Sequence, residues 1–189
     1  NFQIWERGAT AAQSIPAGER DEYFPTLTTE NLSGSSSADG NDGTADPIRR
    51  QLLARARDNN ELVSSQPHLL IVGGLGFNIW NPVYRFGSPI ATLEDRRKNL
   101  IGYAGMAIRI SDMIESILRS LTETPLNIYV TDPNAASSNR LIYWRPSHSR
   151  QESAEVPTET NLRSGVHWEG AITIAHQRWS VLVTSATPL

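Results

Sequence analysis

The segment Asn81–Ile110 constrains the fold more than any other part of this sequence, because it predicts a joint between two small α/β units. Residues 101–110 predict a long strand whose small side chains let another backbone or a ligand approach closely. An amphipathic helix follows at once, with Ser111 as its expected N-cap. Its apolar face is predicted to pack into a core and consists of Ile110, Met113, Ile114, Ile117, Leu118 and Leu121.

A second helix is predicted ahead of this joint. Asp46 can accept a hydrogen bond from a free backbone N–H, and Pro47 loses nothing at the first helical position. Asn59 and Asn60 are expected to end the helix. Its core-facing residues are predicted to be Ile48, Leu52, Leu53 and Ala56. Its arginines are expected to form a solvated face and are Arg49, Arg50, Arg55 and Arg57.

Two further local signals lie between this helix and the joint. The glycines of Gly73–Gly76 suggest a phosphate loop, but such a loop needs a helix to follow it. Because Phe77–Trp80 predicts a strand, we interpret the glycines as a hairpin turn. Thr92 and Asp95 resemble a capping box, which predicts a short helix ending near residue 99.

The part after the joint predicts mainly strands. Residues 147–164 are polar and are expected to be irregular. Strands that lie near each other in sequence, with helices on one side, predict the α+β class with antiparallel sheets. We expect two units, residues 1–109 and 110–189. The four expected strands of the second unit are Leu126–Val130, Arg140–Trp144, Val166–Ala175 and Arg178–Ser185.

Composition excludes several functional classes. The 189 residues contain 17 Lys+Arg against 20 Asp+Glu, so no basic surface indicates a nucleic-acid partner. There is no cysteine, and the four histidines show no metal-ligand spacing. No catalytic motif is present, so we expect neither an enzyme nor a cofactor. A small hydrolase remains an alternative only if His167 or a pair of acids lies in a cleft and has a strongly shifted pKa.

Seven segments together resemble a CHASE domain. This is the extracytoplasmic sensory module of bacterial diguanylate cyclases, nucleotide cyclases and histidine kinases, and of plant cytokinin receptors. Each segment is weakly specific, but their shared order and spacing make the resemblance specific from about residue 2 to 121. The segments are Phe2–Trp5, Gly18–Pro25, Asp46–Arg50, Arg55–Asp58, Asn81–Arg85, Glu94–Arg97 and Gly102–Ile110.

The resemblance implies two PAS-like units stacked on a long N-terminal helix, which this chain is expected to lack. The membrane-distal unit would hold a small-molecule ligand, and the membrane-proximal unit would pass the signal to a transmembrane helix. It also implies a homodimer of the full-length parent, while dimerisation of this chain alone stays open. The chain would be the periplasmic or extracellular part of an inner-membrane or plasma-membrane protein.

The resemblance and the facing of the strands together indicate the ligand-binding residues. Asp42 aligns with an aspartate that holds adenine in the plant pocket. If Asp42 faces inward, it favours a ligand with N–H groups, such as a purine or an amine; alternatively, it is a solvated loop acid. The predicted set is Asp42, Val63, Gly73, Trp80, Tyr103, Met106 and Ala107.

Besides the small hydrolase, two functions are considered for the chain. The first is a small-molecule sensor of a transmembrane diguanylate cyclase or histidine kinase. In that sensor, ligand binding would shift the packing of the strand at 101–110 against the helix that follows it. The second is a structural or interaction module that binds no ligand and transmits partner contacts across the membrane.

Overall fold

A computed structural model describes residues 2–8, 13–30, 38–70, 73–119, 126–147 and 156–185. The chain combines helices with antiparallel sheets, so the predicted α+β class is confirmed. It divides into two compact units. The first unit comprises Asn1–Ser65, Leu69–Gly74 and Asn78–Ala107, and the second comprises Gln66–His68, Leu75–Phe77 and Ile108–Leu189.

Strand β5 is the central strand of a four-stranded sheet. It pairs with β3, β4 and β6, and the β3 pairing is antiparallel. Between β4 and β5, Gly73 and Gly74 adopt positive φ angles of 82° and 83°, and Gly73 N donates to Leu70 O at 3.0 Å. The predicted hairpin turn is therefore confirmed. The strands are β1 (Trp5–Arg7), β2 (Ser14–Pro16), β3 (Val63–Ser64), β4 (His68–Leu69), β5 (Leu75–Tyr84) and β6 (Leu100–Arg109).

Helix α1 (Pro47–Asn59) begins and ends as the sequence predicted, but it buries a different face. Asp46 accepts from Ile48 N at 2.9 Å, and Asn60 closes the helix in a left-handed conformation. Ile48, expected in the core, is 68% exposed. The buried residues Leu53 and Ala56 share their face with Arg49, at i, i+4 and i+7 spacing. The inward face therefore includes an arginine that was expected to be solvated.

Helix α2 (Leu93–Asn99) has the predicted capping box, in which Thr92 and Asp95 bond each other's backbone N–H groups. Helix α3 (Ile110–Leu118) starts earlier than predicted. β6 runs directly into the helix, Ile110 is only 1% exposed, and Arg109 occupies the N-cap position. The Arg109 side chain bonds Asp112 Oδ2 and does not cap the helix. The expectation that Ser111 is the N-cap was wrong.

The buried strip of α3 is narrower than predicted. Ile110, Ile114 and Leu118, at i, i+4 and i+8 spacing, are buried. Ile117, which the apolar pattern placed in the core, is 63% exposed. Leu121 lies outside the described residues. No helix in the described part of the chain is long and apolar enough to cross a bilayer.

The second unit is built on an antiparallel sheet with strand order β8-β7-β10-β9. Its fully buried Trp179 packs edge-to-face on Phe77, with ring centroids 5.1 Å apart. Sequence reasoning missed α4 (Glu159–Arg163), which Thr158 caps through Asn161 N within the segment expected to be irregular. The strands are β7 (Leu126–Thr131), β8 (Leu141–Arg145), β9 (His167–Ile174) and β10 (Gln177–Ser185).

Candidate functional site

Asp42 is buried in the first unit, with 1% of its surface exposed. It precedes a short 3-10 turn at Gly43–Ala45, whose free N–H groups need an acceptor. Its Oδ1 accepts from Thr44 N at 2.9 Å, from Thr44 Oγ1 at 2.7 Å and from Phe24 N at 3.3 Å. The alternative of a solvated loop acid was therefore wrong. The role of Asp42 in ligand binding stays a prediction.

The second carboxylate oxygen of Asp42 faces a cation of the same unit. Arg20 Nε lies 3.7 Å from Asp42 Oδ2, and both atoms are buried and lack a hydrogen bond among the described residues. Arg20 Nη2 also bonds Glu6 Oε2 at 2.5 Å, and this bond lowers the pKa of the Glu6 carboxyl. The charge of Asp42 is thus balanced within the unit. Sequence reasoning offered no signal for this partner.

Tyr103 is connected to Asp42 through Phe24. The Tyr103 and Phe24 rings meet edge-to-face at 5.2 Å, and Phe24 N is one of the three donors to Asp42. The Tyr103 hydroxyl donates to Leu53 O at 2.8 Å, which places this face of β6 under α1. Burial raises the pKa of the Tyr103 phenol well above its usual value of 10.0.

Trp80 forms a second group with Val63 and Arg49. Val63 is opposite Trp80 in the β3–β5 register and is fully buried. The Arg49 guanidinium lies over the Trp80 ring, with 5.5 Å between the guanidinium carbon and the ring centroid. On β6, a Cβ added to Gly105 would come within 2.9 Å of the Trp80 ring, so the ring lies directly on that glycine.

The remaining predicted residues are not brought into these groups. Gly73 is exposed in the β4–β5 turn, and a Cβ there would contact nothing within 4 Å. Met106 is 58% exposed. Because successive strand residues point to opposite faces, Met106 lies on the other side of β6 from Tyr103 and Gly105. Ala107 is exposed at the end of the first unit.

An ion-pair cluster between α1 and α2 supports the first unit. The Asp58 carboxylate accepts two hydrogen bonds from Arg97, at 3.1 Å from Nε and 2.6 Å from Nη2. It accepts a third from Arg57 Nε at 2.7 Å. These arginines, Arg97 above all, hold the pKa of the Asp58 carboxyl far below its usual value of 3.8. Arg96 Nε adds a bond to Asp58 O at 2.7 Å. The cluster fixes the C-terminal end of α1 to α2.

The second unit carries two open grooves on its sheet, of about 500 and 450 Å³. Glu169 lines the larger one, and its bonds from Arg163 lower its pKa to about 2. His167 lines the smaller groove, and its Nδ1 lies 2.8 Å from Gly165 O. No group of acids and histidines among the described residues could hold a metal ion. Neither groove contains any of the predicted site residues.

Comparison with known proteins gives the class of the molecule. The CHASE domain family matches residues 1–143. A hybrid signal transduction histidine kinase A of Dictyostelium discoideum is 31% identical over 81% of this chain, and the chain spans 8% of its length. Probable histidine kinase 4 of Oryza sativa subsp. japonica is 32% identical over 68% of the chain, which spans 13% of that protein.

Among solved structures, an extracellular ligand binding receptor from Desulfohalobium retbaense gives a TM-score of 0.46 at 15% identity. This comparison covers 77% of the present chain and 25% of that protein.

The family match, and not the α+β fold alone, defines the chain as a sensory domain. The chain is a member of the CHASE domain family, as the match over residues 1–143 shows. CHASE domains are extracellular, non-catalytic sensory regions of receptors. The predicted resemblance and the predicted absence of catalysis in this chain are therefore confirmed by family membership.

Proposed function

We propose that this chain is the small-molecule-sensing domain of a transmembrane histidine kinase, located outside the cytoplasmic membrane. Membership of the CHASE family supports the sensory part of the proposal. Both relatives described above are named histidine kinases, which favours a kinase over a diguanylate cyclase as the output. The first unit would bind the ligand and the second would transmit the signal. The full-length parent would be a homodimer.

The observation that carries this proposal is the incomplete burial of two aromatic residues in the first unit. Val63 on β3 is fully buried, whereas Trp80 on β5 and Tyr103 on β6 are only half-buried. Ligand sites combine such aromatic surfaces with a few fixed polar groups. The Tyr103 hydroxyl is one such polar group. The Arg49 guanidinium, which lies over the Trp80 ring, is another.

One observation favours the second candidate function, a structural module without a ligand. Asp42 accepts three hydrogen bonds on Oδ1, and its Oδ2 faces Arg20. A carboxylate with its own donors and cation needs no ligand to be stable in the interior. In this alternative the first unit is packed solid and transmits contacts from a partner protein.

A thermal-shift screen of the purified chain distinguishes the two functions. The library contains purines, amines and organic anions, and a ligand at one hundred times its Kd stabilises the folded state by ~2.7 kcal/mol. We expect at least one class to raise the Tm, and Trp80→Ala to abolish that shift. The control is Trp168→Ala, which removes a 60% exposed tryptophan from the second unit. If no compound from any class shifts the Tm, the structural module is the better description.

A further inference from the structure

Arg49 is a half-buried cation without a hydrogen-bonded or ion-paired acceptor among the described residues. Several other arginines of the first unit have partners. Arg20 bonds Glu6, Arg50 donates to Thr44 O at 2.8 and 2.9 Å, and Arg57 bonds Asp58. Even partial burial of a guanidinium without a bonded acceptor costs free energy. Its position therefore needs an explanation.

Charges of both signs lie near Arg49. Burial, the largest effect, lowers the pKa of its guanidinium. Among the nearby charges, Asp46 has the largest effect and raises this pKa, Arg7 lowers it, and Asp42 raises it. Both acids are already engaged, because Asp46 caps α1 through Ile48 N and Asp42 bonds the 3-10 turn and faces Arg20. Neither acid bonds the Arg49 guanidinium among the described residues, so the guanidinium is attracted by their charges but is not paired with them.

Two contacts hold the Arg49 side chain in place. One face of the guanidinium lies on the Trp80 ring. Its Nη1 lies against the backbone of Gly43, where any larger residue would place a Cβ in collision with it. A guanidinium that stacks on an aromatic ring keeps the N–H groups of its edge available for two parallel bonds to a carboxylate or phosphate.

We infer that Arg49, stacked on Trp80, binds an oxyanion group, a carboxylate or a phosphate, of a small-molecule ligand. The inference rests on the proposed sensor function and names the ligand class for that site. It differs from the sequence-based expectation that Asp42 anchors a purine or an amine. Here Asp42 shapes the turn beside the site, and Arg49 provides the charge that the ligand neutralises.

The test is isothermal titration calorimetry of the intact chain with benzoate, malonate and inorganic phosphate at constant ionic strength. We expect at least one probe to bind. Arg49→Gln should weaken that binding at least tenfold, and Arg49→Lys, which keeps the charge but loses the planar fork, should weaken it less. The matched control is Arg55→Gln, because Arg55 lies on the same helix, is exposed and pairs with Glu61 at 2.5 Å. This control should bind as the wild type does.

A stability measurement keeps the test informative if binding is weak. Arg49→Met keeps the packed stem but loses the stacking of the guanidinium on Trp80, so we expect at most a small fall in the urea midpoint. A fall as large as that for a broken buried ion pair would show that Arg49 is paired within the fold, which overturns the inference.

The binding outcomes separate this inference from the sensor proposal. Equal binding of a probe to the wild type and Arg49→Gln overturns the role of Arg49. If purines or amines bind while all three oxyanion probes fail, the ligand class is wrong but the sensor function stands. If no compound of any class binds, both proposals fail together.

Discussion

Asp42 and Arg20 face each other in the first unit, with Asp42 Oδ2 and Arg20 Nε 3.7 Å apart and both atoms buried. The other oxygen of Asp42 is occupied by three donors from Phe24 and Thr44. A ligand N–H could therefore reach this carboxylate only by displacing Arg20. The family resemblance predicts that Asp42 binds the ligand. In this conformation Asp42 instead caps the 3-10 turn and serves as the counter-ion of Arg20.

The first prediction compares Asp42→Ala with Asp46→Ala. Both remove an aspartate that caps a turn or helix, but Asp42 is 1% exposed and Asp46 is exposed. Asp42→Ala should lower the free energy of unfolding by about 3 kcal/mol, because it leaves Arg20 without its buried counter-ion. Asp46→Ala should cost about 1 kcal/mol. Urea unfolding measures both. Equal losses would mean that the Asp42–Arg20 contact contributes little.

The second prediction concerns acid stability. Asp58 has a folded-state pKa far below 3.8, chiefly because of the bonds from Arg97. The unfolded chain takes up this proton first as the pH falls, so the ion pair contributes fully above about pH 4 and is lost as the pH drops through the folded pKa. Asp58→Asn should therefore be less stable than the wild type near neutral pH, and the gap should narrow at about pH 3.

Urea midpoints of both proteins across this pH range measure the effect of Asp58. The control is Glu94→Gln, which removes an exposed carboxylate from α2. At every pH, the urea midpoint of Glu94→Gln should differ less from the wild-type midpoint than that of Asp58→Asn does. A gap for Asp58→Asn that does not change with pH would contradict the low folded-state pKa.

The third prediction separates the hydroxyl of Tyr103 from its ring. Tyr103→Phe removes the bond to Leu53 O and should cost about 1 kcal/mol of unfolding free energy. Tyr103→Ala also removes the edge-to-face contact with Phe24 and should cost about 2 kcal/mol more, with the domain still folded at neutral pH. Thermal unfolding followed by circular dichroism measures both. Identical Tm values for the two variants would show that the ring contact is unimportant.

Local signals in the sequence predicted the ends of several elements correctly. Asp46 and Pro47 start α1, and Thr92 and Asp95 form the capping box of α2, as expected. These features depend on hydrogen bonds between residues two or three apart, so the local sequence contains the necessary information. The prediction for Ser111 was wrong because a tertiary contact, the burial of Ile110, set the start of α3. The helix therefore begins before Ser111, although serine is the better capping residue.

The candidate site was harder to predict because its contacts are distant in sequence. Arg20 and Asp42 are brought together only by the fold, and no local pattern connects them. For Arg49, the spacing to Leu53 and Ala56 could have indicated an inward direction. The usual preference of arginine for solvent argued against it. At Arg49 the helical pattern predicts a core position, whereas the residue type predicts a surface position. Functional residues are expected at positions where two such predictions disagree.

The last prediction tests whether Gly73 belongs to the ligand site or only to the turn. Gly73 has a φ of 82°, and an added Cβ would contact nothing within 4 Å. Gly73→Ala should therefore lower the free energy of unfolding by about 1 kcal/mol through backbone strain alone, without a steric clash. Gly165→Ala is the matched control, because Gly165 also has open space around it but is not among the glycines with positive φ.

Gly165→Ala should be neutral or slightly stabilising, since alanine reduces the entropy of the unfolded chain. Urea unfolding of the two variants measures the difference, and calorimetry with any identified ligand measures binding. If Gly73 acts only in the turn, Gly73→Ala lowers stability but keeps the wild-type Kd. A changed Kd at unchanged stability would instead place Gly73 in the ligand site, as the family alignment suggests.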